Sequence, residues 1–289
     1  MTGTTPEMSA PLAGLLDVLQ LEQTGENSFR GRSLPQLNGR VYGGQVLAQT
    51  LLAAGRTVDP TRTPHSLHGY FLRPGDLEEP IEFQVERLRD GRSFSARRTH
   101  ALQFGKPILS MTASFQEPQG GIEESQEMPQ APDPMTVDSA VEKFSAMDHP
   151  VAKFWTSQAA FDIRHVEEPL YLAPASERTD RQMVWMRARG PVADDQLTHR
   201  ALMAYACDQL MLEPVLRRGG LSWALKGMSI ASLDHAMWWH RDARVDEWLL
   251  YVQSSPSAQG GRGLGSARVF AQDGTLVASI AQEGMLRIP

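Results

Sequence analysis

What most restricts the fold of this chain is that it repeats itself. Ser66-Leu67-His68-Gly69-Tyr70-Phe71-Leu72-Arg73 is matched further along by Ser232-Leu233-Asp234-His235-Ala236-Met237-Trp238-Trp239. GRSFSAR at 91–97 is matched by GRGLGSAR at 261–268. The stretch 104–110 is matched by 272–279, with Gly105 aligned on Gly274. Three blocks in one order, at nearly one spacing, point to two copies of a supersecondary unit. The 289 residues are enough for two ordinary domains with sizeable cores.

Each copy reads as one helix followed by several strands. In the first, Gly43-Gly44 opens a helix over 45–56, where Val46, Leu47, Thr50, Leu51 and Ala54 recur at helical spacing. Strands are expected at 66–72, 81–88, 93–102 and 107–115, separated by turn chemistry at Arg73-Pro74-Gly75-Asp76, Asp90-Gly91 and Gly105-Lys106. The second copy predicts a helix over 199–212, stopped by Pro214, then strands near 229–239, 247–254, 263–270 and 276–287. Between them, 117 to about 151 is rich in Glu, Pro, Gly, Gln and Met without a period and reads as a linker. Strand-rich units with one long helix suit an antiparallel sheet packed on that helix, the α+β class. The expected division is a first domain at 10–117, a connecting segment at 118–180 and a second domain at 181–289.

Asp208 is the residue that needs explaining. It sits within Ala201-Leu202-Met203-Ala204-Tyr205-Ala206-Cys207-Asp208-Gln209-Leu210-Met211-Leu212, apolar on nearly every face and so expected to be buried all round. A buried carboxylate is costly unless hydrogen-bonded or paired, and desolvation moves it towards the range useful to a base. Asp208 is therefore either a general base or a structural group at a polar spot on the helix. The first-copy region expected to face it, 51–53, is apolar. Gln282 shows the same asymmetry, interrupting a face shared with Leu276, Ala278, Ile280 and Gly284, while its counterpart in the register that aligns Gly105 on Gly274 is Ala113. A functional amide and a rim amide both account for it. Only a hydroxyl recurs in both copies, as Ser66 and Ser232.

Composition narrows the classes. Lys and Arg number 28 against 34 Asp and Glu, a net charge of −6, without the basic excess of a nucleic-acid binder. The single cysteine, Cys207, leaves no intrachain disulfide or thiolate cluster and fits a reducing compartment. Residues 1–14 lack the basic start and apolar core of a secretion signal, no run approaches the roughly 18 apolar residues of a membrane span, and Arg287-Ile288-Pro289 carries no peroxisomal or lipidation address. A cytoplasmic protein without nucleic-acid or membrane partners is expected.

A set of motifs runs over most of the chain: Val41-Tyr42-Gly43-Gly44-Gln45-Val46, His65-Ser66-Leu67-His68-Gly69-Tyr70-Phe71-Leu72-Arg73-Pro74-Gly75-Asp76, Arg89-Asp90-Gly91 with Ser93-Phe94-Ser95-Ala96-Arg97-Arg98, Met111-Thr112-Ala113-Ser114-Phe115-Gln116, Asp234-His235-Ala236-Met237-Trp238 with His240-Arg241, Glu247-Trp248-Leu249-Leu250-Tyr251, and Gln282-Glu283-Gly284. On these residues the sequence resembles the acyl-CoA thioesterase II family, whose members are two hotdog domains fused in one chain. The resemblance implies an acyl-CoA thioesterase whose second domain carries the catalytic Asp208 and Gln282, with the family's hydroxyl on Ser232 where some relatives have Thr. Thioester hydrolysis needs a water about 3 Å from the carbonyl carbon and a group to take its proton. Asp208 would be that base, with Ser232 and Gln282 orienting the water and holding the carboxylate. Coenzyme A thiolate leaves readily, so no covalent intermediate is demanded. By analogy with hotdog enzymes, N–H groups at Gly43-Gly44 would polarise the substrate carbonyl. His65 with His68, and His235 with His240, lie an odd number of residues apart on expected strands and so point to opposite faces, and no metal is expected. With apolar residues at 51–53 and Ala113 standing for Asp208 and Gln282, the first copy has no base, and one working site per chain is expected. No cofactor is expected, and hotdog sheets imply a homo-oligomer, dimer or tetramer, that covers exposed sheet edges or apolar faces.

Other signals compete with this reading. Gly227-Met228-Ser229-Ile230-Ala231 is a near miss to a nucleophile elbow, which keeps a serine hydrolase using Ser229 as a rival, beside an acyl-CoA-binding protein without turnover. Gly261-Arg262-Gly263-Leu264-Gly265 reads as a turn, not a dinucleotide fingerprint. Arg87, Arg89, Arg92, Arg97 and Arg98 form a basic cluster, either a solvated hairpin face or a site for coenzyme A phosphates.

Overall fold

A computed structural model describes residues 7–289; the first six, part of the amino-terminal stretch considered above, lie outside the described residues. The first half consists of α1 (Ala10–Val18), β1 (Glu22–Gly25), β2 (Ser28–Gly31), α2 (Gly43–Gly55), β3 (Thr63–Phe71), β4 (Ile81–Asp90), β5 (Phe94–Gln103) and β6 (Lys106–Gln116). Two short helices, α3 (Ala140–Ser145) and α4 (Pro150–Gln158), stand between the halves. The second half follows with β7 (Phe161–His165), β8 (Arg181–Ala188), α5 (Gln196–Cys207), α6 (Glu213–Gly219), β9 (Ser229–Ser232), β10 (Asp234–Trp239), β11 (Leu249–Gln259), β12 (Arg262–Ala271) and β13 (Leu276–Arg287).

All thirteen strands of the described residues join one antiparallel sheet, and its order makes the repeat visible. It runs β1-β2-β4-β5-β6-β3 and then, in mirrored order, β10-β13-β12-β11-β8-β7, with β9 added beside β13. The halves meet where β3 pairs with β10, Leu67 opposite Met237. Alternation supplies the buried face: Ile81, Phe83 and Val85 on β4, and Leu109, Met111, Ala113 and Phe115 on β6, are buried. On that face lie α2 and α5, packed side by side and antiparallel, so that Gly55 abuts Leu197 and Gly43 abuts Asp208. Residues 201–207 are buried all round, as their composition requires.

Three departures from expectation bear on the site. Each helix is preceded as well as followed by strands, β1–β2 and β7–β8. Four residues in each of β1 and β2, with β1 wholly exposed, are too few to show alternation. The second helix ends at Cys207, not at Leu212. In a continuous helix the Pro214 ring would meet the carbonyl of Leu210. The chain instead tightens through i→i−3 bonds at Gln209 and Leu210 and starts α6 with Pro214 in its first turn. Pro214 thus opens a helix, and Asp208 is the C-cap of α5 rather than a mid-helix residue.

The third departure is the strand expected at 229–239, which is interrupted at Leu233. Ser232 pairs with Gly284 before the break, and Ala236 with Ala281 after it. The first half has the matching irregularity between Pro64 and Ser66, with Pro64 opposite Phe115. The register that aligns Gly105 on Gly274 also aligns Phe115 on Gly284, so their strand partners correspond: Pro64 and not Ser66 is the counterpart of Ser232. The hydroxyl does not recur.

Candidate active site

The end of α5, the start of α2 and the strands β9, β10 and β13 converge on Asp208. Its Oδ1 accepts hydrogen bonds from Ser232 Oγ (3.0 Å) and Gln282 Nε2 (2.9 Å), and the same Gln282 amide donates to Ser232 Oγ (2.7 Å). Ser232 and Asp208 are partly buried, whereas Gln282 is fully buried. That excludes a rim amide for Gln282. It is the buried face of β13 that carries it inward, where a buried amide is tolerated because its partners are present. Each bond to the carboxylate contributes about 1.5–3 kcal/mol net.

The other carboxylate oxygen, Oδ2, faces the first half. A Cβ placed on Gly43 would lie 3.0 Å from it and 3.0 Å from the Phe71 ring. The 51–53 region does not face Asp208, because the antiparallel packing of α2 and α5 brings the start of α2 there instead. No side chain caps α2, Tyr42 being its N-cap without a side-chain hydrogen bond. The first N–H groups of a helix have no intrahelical partner and form its positive end. Gly43 and Gly44 therefore present free donors beside the carboxylate.

Around this point lies a cavity of about 540 Å³ lined from both halves. Tyr42, Val46 and Phe71 come from the first; Leu212, Trp223 and Ile230 from the second; Arg40 and Arg73 line it too. Tyr42 ties the halves together, its hydroxyl donating to the Tyr205 carbonyl (2.7 Å) with the two rings edge to face at 5.1 Å. Burial and then the charge of Asp208 push the Tyr42 hydroxyl well above the usual tyrosine range, so it remains a donor.

Behind Gln282 stands a residue given no role by the sequence. His235 is buried on β10, with Nδ1 2.7 Å from Gln282 Oε1 and Nε2 3.3 Å from Cys207 Sγ. Burial holds its ring below the ordinary histidine value, against the pull of Asp208. The signal for it in the sequence is its place in the Asp234-His235 motif.

Other expected features resolve differently. Gly263 and Gly265 lie on β12, not in a turn; a Cβ on the first would meet Val215, and on the second the Met211 carbonyl. They let the segment after Asp208 lie directly on the sheet. Arg97 is buried and leaves the basic cluster, its guanidinium donating to Thr57 Oγ1 (2.9 Å), the Thr57 carbonyl (3.0 Å) and Asp90 (2.7 Å). Ser229 is exposed on β9 opposite Arg287, and no histidine hydrogen-bonds its hydroxyl among the described residues. A nucleophile there lacks a base. No helix of the described residues is long and apolar enough to cross a membrane.

Comparison with known proteins decides the family. Residues 32–116 match the acyl-CoA thioesterase N-terminal domain and residues 125–286 the acyl-CoA thioesterase C-terminal domain. The chain belongs to the acyl-CoA thioesterase family. Over 286 residues it is 35% identical to acyl-CoA thioesterase 2 of Haemophilus influenzae, covering 97% of this chain and 99% of that one. The crystal structure of an acyl-CoA thioesterase II from Mycobacterium marinum is 43% identical and superposes with a TM-score of 0.79 over 95% of this chain and 98% of that one. A hotdog-fold protein of unknown function from Alicyclobacillus acidocaldarius, 20% identical, shares the fold at a TM-score of 0.77 over 96% and 98%. Two fused hotdog units of the α+β class are thus the architecture of this thioesterase.

Proposed function

We propose that this thioesterase hydrolyses acyl-CoA to a free carboxylate and coenzyme A with a water activated by Asp208. The observation that carries the reading is the division of labour on one carboxylate: Oδ1 is occupied by Ser232 and Gln282, while Oδ2 is turned towards Gly43 and the cavity. Oδ2 takes a proton as water oxygen bonds to the thioester carbon. The carbonyl oxygen becomes an oxyanion and accepts from the free N–H groups of Gly43 and Gly44. The C–S bond then breaks, and Asp208 returns its proton to the leaving thiolate. Ser232 keeps a lone pair with which to orient the water.

Apolar lining from Val46, Phe71 and Ile230 suits an acyl chain, and Arg40 and Arg73 suit the phosphates of coenzyme A. Self-association into a dimer or tetramer belongs to the same reading; its support is an outer sheet face on which Tyr70 and Trp238 stand exposed on the two central strands. The deciding experiment supplies purified protein with acyl-CoAs of several chain lengths and a thiol reagent. Release of coenzyme A from at least one is expected. Tight binding without release from any would select a binding protein, and covalent labelling by a serine-directed phosphonate would select a serine hydrolase.

A further inference from the structure

Hydrogen bonding around Gln282 has one self-consistent direction. An ionised carboxylate only accepts, so Gln282 must turn its NH₂ group to Asp208 Oδ1 and Ser232 Oγ. Its carbonyl Oε1 is then left 2.7 Å from His235 Nδ1, and that nitrogen must carry a hydrogen. The buried ring is neutral, which leaves Nε2 bare, and Cys207 Sγ lies 3.3 Å from it. Burial, with the charge of Asp208, holds the Cys207 thiol protonated, and its one hydrogen has the bare Nε2 at 3.3 Å and the Ala204 carbonyl at 3.5 Å as acceptors.

Shape alone cannot choose this arrangement. The oxygen and nitrogen of an amide fill the same volume, and a flipped Gln282 would set its carbonyl against the Asp208 carboxylate and take donors from both Asp208 and Ser232. We propose that His235 is a positioning residue for hydrolysis: by donating from Nδ1 to Gln282 Oε1 it locks the amide in the orientation that serves Asp208 and Ser232. His235 does not line the cavity and acts only through Gln282. The groups that face it are Asp208 and Cys207 from the end of α5, Gln282 from β13 and Asp234 from its own strand.

The inference rests on the Asp208 reading, and two sets of variants separate them. His235→Leu is expected to lower kcat about tenfold or more with KM within about twofold, because the substrate is not touched. His235→Asn places an amide N–H near the position of Nδ1 and is expected to recover most of that loss. In a Gln282→Ala background, His235→Leu is expected to change kcat less than about twofold, since the residue it serves is gone. Ring ¹⁵N resonances of His235 in the unmodified protein are expected to show the Nδ1–H tautomer. Full turnover in His235→Leu, an equal loss with and without Gln282, or an Nε2–H tautomer would each overturn the proposal. Should His235→Leu not fold, His235→Asn and the tautomer decide. Wild-type turnover by Asp208→Asn would instead overturn the mechanism beneath it, whereas an inactive Asp208→Asn beside a fully active His235→Leu sinks the positioning role alone.

Discussion

Gly43 and Asp208 come from different halves of the chain, yet a side chain on the one would press within 3.0 Å of the carboxylate of the other. Gly43 has an ordinary helical backbone, and alanine is favoured over glycine in helices by up to about 1 kcal/mol. The tight contacts with Oδ2 and the Phe71 ring offset that gain, and Gly43→Ala is expected to leave Tm within a few degrees of wild type. Its methyl fills the space between Oδ2 and the first N–H groups of α2, and kcat/KM is expected to fall about tenfold or more. Wild-type kinetics in that variant would mean the chemistry happens elsewhere in the cavity.

Replacing the Asp208 carboxylate while keeping its shape gives the cleanest measure of its proposed role as base. Asp208→Asn is expected to cut turnover about 10²-fold or more with Tm within a few degrees. Ser232→Ala and Gln282→Ala each remove one of the two bonds to Oδ1 but leave the base, so about tenfold is expected for each. Gln282→Ala also strands the buried His235 and is expected to cost about 1–3 kcal/mol of stability, read from denaturant midpoints.

Gly265 fixes the path of the chain just after Asp208. Added bulk there would meet the Met211 backbone, which no rotamer change can relieve. Gly265→Ala is expected to destabilise by about 1–3 kcal/mol, the usual range for overpacking, and to lower turnover with it as the 208–212 turn is pushed off the sheet. A variant with lowered Tm but intact kcat would show that Asp208 holds its position without β12.

Much of this was legible in the residues because repeated turn chemistry and alternation are local. The strands after each helix fall where glycine turns and period-two patterns place them, and the convergence of Asp208, Ser232 and Gln282 follows from motifs on the same segments. What escaped depends on contacts made at a distance. The end of α5 is set by Pro214, beyond the helix itself. The counterpart of Ser232 is set by a strand irregularity that shifts the pairing, enough to exchange Ser66 for Pro64. The short strands β1 and β2 owe their existence to pairing, β2 with β4 and β1 with β2, not to their own pattern. His235 acquires its role only through the amide it faces.

Acid should weaken the fold in a particular window. Burial holds His235 below its usual 6.5, as it does His65, His199 and His240. The unfolded chain takes up those protons first, so stability is fully present above about pH 6.5 and is lost as pH falls from there towards the folded values. Glu213 adds a second loss at lower pH: although burial alone would raise it, His165, Gln182 and Trp223 hold it below 4.5. Its contribution is present above that value and lost as pH falls through the folded one. Denaturant midpoints from pH 8 to 4 are expected to decline below 6.5, and His235→Asn to flatten the upper part of that decline. A midpoint that rises on acidification through pH 6 would contradict the neutral ring.

The chain should bind and turn over one acyl-CoA at a time, because the first half cannot reproduce the site at its own corresponding corner. Its helix α2 is closed by Arg56, whose exposed guanidinium donates to the Leu21 carbonyl (2.6 Å) and lies over the Phe29 ring, where α5 is closed by Asp208. Pro64 and Ala113 stand for Ser232 and Gln282. The helix start facing Arg56 is that of α5, and there Asp195 accepts from the Leu197 and Thr198 N–H groups that would have to be free to hold an oxyanion. Leu197 packs against Gly55, closing the space that Gly43 keeps open beside Asp208, and buried Arg97 occupies the neighbouring end of α2 through Thr57. Carboxylate, amide, hydroxyl and uncapped helix N–H groups are thus all missing from one corner and present at the other. Calorimetric titration with a non-hydrolysable acyl-CoA analogue is expected to reach a stoichiometry near one per chain, and the about 10²-fold or greater loss in Asp208→Asn to leave no second phase of turnover. Two equivalent sites per chain, or half the activity surviving in Asp208→Asn, would show that the first half retains chemistry its residues do not reveal.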